Sequence, residues 1–497
     1  MTGLWPPERW DSGPSLTDFI PPKPKPHVRK LNPLRRILQV RHSSLSVLFK
    51  RSYSMHLRDV WTPSRKVYFV NQPDLVDRVL VKEAEKYPRS ISMGSMLQFL
   101  MGTGVFVSNG ELWRKQRRML DPAFNQARIQ DVFPLMRMAT EEMVERFRQH
   151  AVGAVLLIDE ETTHVTADII FRTIYSRPFT AAQSRRIFKA FGRFQELAYA
   201  QGVWRLAGVP NWLSPGHIFA AHYGGIIRRL LEDSVEERVQ EQASGQKIER
   251  KDILASLLDA RDPVTGEKFS RKDLVDQISV LFLAGHETSA SVLAWALYLI
   301  ARRPDIQDRL YAGSKAAFGD RSPEFSDMRR LKLARDVFRE TLRLYPPVSF
   351  VSRDATEPTT MRDKEIKPGE MIFVSPWLIQ RHEKLWDRPD VFDPDRFSGP
   401  ASKESQRSAY VPFSAGPRVC LGASFAMQEG MLILACLARH FRFEALPNHT
   451  PRPIARLTLR SENGVRLRVL RRGADEPADR ALPNDRGTQA VGCPFHN

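Results

Sequence analysis

The stretch YVPFSAGPRVCLGASFAMQEG, residues 410–430, sets one thiol, Cys420, between a turn-rich loop and a strongly helical pattern. Backbone N–H groups at a helix start are unpaired and electropositive, which favours a thiolate. Gly416 and Gly422 permit turns and a close approach of backbone to a flat ligand, and Pro417 stiffens the loop. Phe413 can pack near the sulfur and limit water, while Arg418 can neutralise an acidic group on the same ligand. The competing reading is a buried, inert cysteine, the usual state of a free thiol. Cys436, inside the apolar run MLILACLA, fits that reading well.

Two other segments carry unusual patterns. ARDVFRETLRLYPP (334–347) reads as a helix stopped by Pro346 and Pro347. Leu333, Val337, Glu340 and Leu344 fall at helical spacing, so an acid interrupts an apolar stripe, with Arg343 three residues on. A buried carboxylate must be paired; an exposed pair would stabilise little. From Ser270 to Arg303 there is no proline, and Ser270 with Asp273 forms a capping box. The centre of this long helix, LFLAGHETSAS, places Gly285 where it costs about 1 kcal/mol relative to alanine. Thr288 can bond the Ala284 carbonyl and bend the helix locally. Close helix packing with a satisfied threonine is the plain alternative.

The bulk numbers bound the rest. The chain has 497 residues, three cysteines and a formal net charge of +18. Three thiols without a Cys-x-x-Cys pair exclude a disulfide framework and a structural zinc site. The basic balance allows nucleic acid or membrane partners, but no recognition motif accompanies it, so no nucleic acid partner is expected. No run of 18 apolar residues occurs, so a cytoplasmic chain without a transmembrane anchor is expected. LNPLRRILQVRHSSLSVLFKRS (31–52) is basic and amphipathic; it packs on the domain or makes peripheral membrane contact. Three regions are expected: an extension over 1–50, a main domain over 51–472 and a polar tail over 473–497. Helical patterns fill 110–345, and short strand signals return at 346–380 and 455–470. The fold expected is mainly α with a small segregated β part.

FSAGPRVCLG resembles the haem-binding signature of the cytochrome P450 family, Phe-x-x-Gly-x-Arg-x-Cys-x-Gly, at every fixed position, with Ser414 at a common glycine position. Four further segments resemble family motifs in the family's order: WRKQR, AGHET, ETLR and DPDRF. The resemblance implies the P450 fold, a long central helix across haem b, and Cys420 as the proximal iron ligand. It makes Glu287 and Thr288 the proton-delivering pair beside Ala284 and Gly285, and Glu340, Arg343 and Arg396 a structural ionic cluster. Trp113, Arg117, Arg353 and Arg418 would anchor the haem propionates, with Phe413, Gly416 and Gly422 shaping the loop. Ala284 stands where some relatives carry a glutamate bonded to haem, so no such crosslink is expected. His286 as a distal ligand and Cys493 as a second haem contact are minor alternatives.

Pocket walls by motif position are residues 93–107 including Phe106, Val348, Phe350 and Val351 after the prolines, and Leu457 with Thr458. Trp204 and Trp212 would mark an access region. The function implied is a monooxygenase of the soluble bacterial type, inserting one atom of O2 into a lipid-like substrate such as a fatty acid, terpenoid or carotenoid. Electrons would come from NAD(P)H through a separate ferredoxin or flavodoxin and its reductase, docking near Arg114, Lys115 and Arg118. The protein is expected to be a monomer. A peroxide-driven peroxygenase and a non-enzymatic haem-thiolate sensor share the fold and stay open.

Overall fold

The computed structural model describes residues 18–29, 31–209, 216–243, 252–399 and 402–473; Trp212 and Cys493 lie outside them. The long pattern forms one helix, Arg271–Ala301, here called the central helix. Ser270 Oγ accepts from Asp273 N at 3.2 Å, and the Asp273 carboxylate accepts from Ser270 N at 3.1 Å, closing the expected capping box. The helix is apolar nearly all round, and so is buried on nearly all sides. Among the described residues it is the one helix long and apolar enough to cross a membrane, and 83% of that apolar stretch is buried inside the fold.

Helices Ile158–Tyr175, Lys332–Leu344 and Ala423–His440 pack against the central helix. Gly285 makes one approach possible: a Cβ there would lie 3.0 Å from Ile170 Cγ1. Its small size thus serves helix packing, the plain alternative, rather than a groove open to a ligand. Trp295 on the central helix stacks on Tyr345, centroids 3.9 Å apart, where the Lys332–Leu344 helix ends at its prolines.

The β part is small and separate from this helical mass. One sheet runs Leu57–Trp61, Lys66–Val70, Met371–Val374, Val351–Asp354, with a parallel middle pair. A second joins Val155–Leu157, Arg466–Arg471 and Phe441–Ala445. The strand signals at 455–470 form two strands on either side of Glu462–Gly464, which do not pair with each other. Leu459–Ser461 pairs with Pro453–Ala455, and Arg466–Arg471 crosses to the other sheet. The basic N-terminal segment packs on the domain: its helix Pro33–His42 accepts from Tyr199 Oη at the Val40 carbonyl, 2.8 Å, and Ser43 Oγ accepts from Ala455 N, 3.0 Å.

Candidate active site

The thiol loop closes on itself through Cys420 N, which donates to the Phe413 carbonyl at 2.9 Å. Ser414 has φ 63°, which explains why glycine suits that position better. Gly416 is obligatory: its φ is 70°, and a Cβ would lie 2.0 Å from the Leu80 carbonyl oxygen. Gly422, by contrast, faces open space and begins the Ala423–His440 helix. Cys420 is exposed, while Cys436 on the following helix is buried with its thiol pushed up to about 12.

Cys420 is exposed, yet the protein packed around it still pushes its thiol upward. The Gly422 N–H and Arg117 pull it down without prevailing, so the helix start alone does not make the thiolate expected above. Metal coordination would, since a ligating thiol loses its proton.

Around the loop stand cations without carboxylates. Arg418 Nη2 donates to Asn109 Oδ1 at 2.7 Å and to the Ser108 carbonyl at 3.1 Å, and its guanidinium lies 4.3 Å from the Trp113 ring centroid. Asn109 also grips Arg89, through Arg89 N at 3.0 Å and the Arg89 carbonyl at 2.9 Å. Arg89 bridges to Arg353 across a short β contact. Burial and mutual repulsion lower Arg89 well below its ordinary value, and burial brings Arg353 to about 10. Arg418 is likewise brought to about 10 by burial and by Arg353 and Arg117. No carboxylate pairs with these three among the described residues, and Arg89 Nε and Arg418 Nη1 are buried without any partner.

Such a cluster fits a flat ligand carrying two carboxylates, and the residues present therefore suit haem. Arg117 does not join it: its Nε donates to Asp121 at 2.7 Å and its Nη1 to the Val419 carbonyl at 2.7 Å, so it steadies the loop. Arg114, Lys115 and Arg118 are also paired internally, with Glu85, Glu267 and Asp262.

On the central helix, residues 281–301 are buried except at Ala284, Gly285 and Thr288. Thr288 Oγ1 donates to the Ala284 carbonyl at 2.6 Å, as expected. Glu287 points elsewhere. Gln195 Nε2 donates to its Oε1 at 2.9 Å and Thr458 Oγ1 at 3.0 Å. It lines a cleft of about 830 Å³ shared with Asp159, Arg186, Lys189, Arg456 and Arg460. Burial, with Glu287 a smaller cause, pushes the Asp159 carboxyl up to about 6. Successive helical residues differ by about 100°, so neighbours 287 and 288 serve different faces. Thr458, expected as a pocket wall, is engaged with this acid instead. His286 is not a distal ligand: its Nδ1 lies 3.0 Å from the Phe282 carbonyl, and its ring packs on Phe282 and Phe191.

Glu340, Arg343 and Arg396 come together as expected. Arg343 Nε and Nη2 donate to the Glu340 carboxylate at 2.7 and 2.8 Å, and Arg396 Nε at 3.0 Å. Asp393 N adds a fourth donor at 3.1 Å. Phe106 lies under Arg89, 3.9 Å from its guanidinium, and Phe350 packs edge-on to Phe69. Val348, Val351 and Leu457 are partly exposed, and Trp204 sits on the helix Ala181–Leu206 with Arg41 over its ring. Sequence reasoning missed Arg89, Asn109, Gln195 and the buried Glu429, and no local sequence signal marks any of them.

Residues 21–468 match the family model described as Cytochrome P450. Cyclooctatin synthase of Streptomyces melanosporofaciens is 31% identical over 401 residues, 80% of this chain and 84% of that protein. Cyclooctat-9-en-7-ol 5-monooxygenase of the same organism is 29% identical over 391 residues, 78% of this chain and 82% of that one. A crystal structure of the cytochrome P450DA heme domain superposes with a TM-score of 0.73 at 24% identity, over 84% of this chain and 90% of that chain. With an accessible cysteine in the signature loop, an arginine trio beside it that no described carboxylate compensates, and a family model matched over residues 21–468, the chain belongs to the cytochrome P450 family and is a haem-dependent oxidoreductase.

Proposed function

We propose that this chain hydroxylates a terpenoid or similar apolar lipid, with Cys420 as the iron ligand and Thr288 with Glu287 as its proton path. The observation that carries the site assignment is an accessible Cys420 beside Arg89, Arg353 and Arg418, three cations that lack a counter-charge among the described residues. Bound there, haem supplies reductive activation of O2 and insertion of one oxygen atom into a C–H bond. The residues do the rest. Arg89, Arg353 and Arg418 hold the carboxylates, and Trp113 backs Arg418 by stacking. Arg117 fixes the Val419 carbonyl next to the ligand.

Thr288 Oγ1 holds a proton on the accessible turn, anchored to the Ala284 carbonyl. Glu287 lines the solvent cleft, and it serves as the proton donor to that turn once its carboxylate leaves Gln195 and Thr458. Glu340, Arg343 and Arg396 stay structural. Electrons come from NAD(P)H through a separate ferredoxin- or flavodoxin-type donor, and the protein acts as a monomer. The terpenoid preference is supported by the two Streptomyces relatives, one of which is named as a monooxygenase of cyclooctat-9-en-7-ol. Partly exposed Val348, Phe350, Val351 and Leu457, with Phe106, supply apolar wall for such a substrate.

The test is a carbon monoxide difference spectrum of the dithionite-reduced protein, beside Cys420→Ala. A thiolate-shifted Soret band lost in the variant supports the ligand. An imidazole-type band, or a band kept by Cys420→Ala, overturns it. A panel of terpenoids, carotenoids and fatty acids is then titrated for a spin-state shift; response to fatty acids alone overturns the terpenoid assignment.

A further inference from the structure

We propose that Asp276 is a positioning residue that locks the loop Gly102–Val107 and the helix Gly216–Ala243 onto the central helix, and so fixes the shape and access of the substrate space. The Asp276 side chain is wholly buried on the central helix, eight residues before Ala284. Its Oδ2 accepts from Thr103 N at 2.9 Å and from Thr103 Oγ1 at 3.0 Å. Its Oδ1 accepts from Arg228 Nη2, and Arg228 Nη1 reaches the Leu100 carbonyl at 3.5 Å. Lys272 stands one turn away, 3.8 Å from Oδ2. The donors come from two elements distant in sequence, so one carboxylate couples both to a third.

The neighbouring residue extends the lock. Gln277 Oε1 accepts from Val105 N at 2.9 Å, and Gln116 Nε2 donates to the Thr103 carbonyl at 2.8 Å. The fit tolerates no side chain. A Cβ at Gly102, whose φ is 52°, would lie 2.1 Å from Asp276 Oδ1, and one at Gly104 would lie 2.6 Å from Val280 Cγ2. An apolar residue would fill the position of Asp276 without desolvating a charge. What the carboxylate adds is a single register for the loop. That loop carries Phe106, which stacks on Arg89 of the cation cluster. A loosened lock therefore moves an apolar wall of the substrate space and leaves Cys420 untouched. The inference rests on reading the side of the central helix around Ala284 and Thr288 as the substrate side.

The experiment uses the haem-loaded full chain, with 4-phenylimidazole as a bulky probe and carbon monoxide as a small one. Arg228→Gln and Thr103→Val each remove donors from Asp276 and are less disruptive than Asp276→Asn. Stopped-flow association and dissociation rates of 4-phenylimidazole are expected to rise together by about tenfold, the effect of one lost charge-assisted hydrogen bond. Their ratio and the carbon monoxide band stay near wild type, while the thermal midpoint falls in Arg228→Gln, because a buried carboxylate loses its cation. Amide exchange of residues 102–107 accelerates, and the double variant adds less than the sum of the singles because both act through one carboxylate. Rates within about twofold of wild type in both single variants, or unchanged exchange in 102–107, overturn the proposal. A wild-type protein lacking the thiolate-shifted band would instead sink the haem-ligand assignment, so the two failures are distinct.

Discussion

Replacing Glu340 with alanine tests whether the buried ionic cluster holds the fold that holds the thiol loop. The side chains of Glu340 and Arg343 are fully buried and that of Arg396 is 5% exposed. The substitution removes the acceptor of four donors at 2.7, 2.8, 3.0 and 3.1 Å. Arg343 keeps the carbonyls of Gln380, Pro389 and Val391 as acceptors, so its hydrogen bonds are partly preserved. Its charge is not: two guanidiniums then face each other in the interior. Removing one partner of a buried pair costs about 3–5 kcal/mol, and two orphaned cations put this case at the upper end. That is a large share of the roughly 5–15 kcal/mol that keeps a domain folded.

The sign with pH follows from the acid. Burial pushes the Glu340 carboxyl up, but Arg343 and Arg396 outweigh it and hold it below its ordinary value. A depressed carboxylate contributes fully above its unfolded pKa and loses the contribution as pH falls through the folded value. The measurement therefore belongs at neutral pH, and the gap between wild type and variant narrows in acid. Soret absorbance per mole of protein and the urea midpoint are the readouts. Glu340→Ala is expected to retain little haem and to unfold at markedly lower urea; Glu340→Gln falls between. Wild-type loading and midpoint in Glu340→Ala would refute the cluster's role.

Three further outcomes are expected. Arg89→Gln relieves repulsion among Arg89, Arg353 and Arg418, so the haem-free protein gains thermal stability while the loaded protein releases haem faster to apomyoglobin; equal release rates would remove Arg89 from the anchor. Gly416→Ala meets the Leu80 carbonyl at a positive φ, so it is expected to lose more than about 2 kcal/mol in urea unfolding, and a smaller loss would mean the loop relaxes. Glu429 is buried on the Ala423–His440 helix with its carboxyl pushed up to about 8 by burial, against a weaker pull from Ser289. An acid raised on folding costs stability as pH climbs from its unfolded to its folded value and no more beyond it. Glu429→Gln is therefore expected to flatten that slope and to gain roughly 3 kcal/mol at pH 7, and a denaturation midpoint with unchanged pH dependence would contradict it.

What could be read in the sequence was what the chain places close to itself. Thr288 reaches Ala284 across one helical turn, Glu340 reaches Arg343 across another, and Ser270 caps with Asp273. Each follows from helix geometry once the helix is recognised. The thiol loop was legible for the same reason, since Gly416, Arg418 and Cys420 lie within one turn of chain. The family motifs extended this to Arg353 and Arg396, but only by resemblance. Helix geometry also separates what sequence adjacency suggests is joined. Glu287 and Thr288 are neighbours, yet the acid faces Gln195 and Thr458 while the alcohol faces the open turn.

Arg89 and Asp276 show why the remainder was hidden. Nothing beside Arg89 in sequence distinguishes it from the other arginines of a basic chain. Its meaning arises because Asn109 binds both it and Arg418, and because a β contact brings Arg353 alongside. Asp276 in turn sits among the polar residues of a helix's first turns, where an acid is ordinary. The fold makes it extraordinary by covering it with a loop and a second helix. The two residues share a logic: a buried charge whose partners come from distant segments is invisible to periodicity. It also constrains most, because leaving it unpaired is costly wherever those segments move. Such residues are therefore found by asking which buried charges the fold has given partners from distant segments, and that question needs the structure.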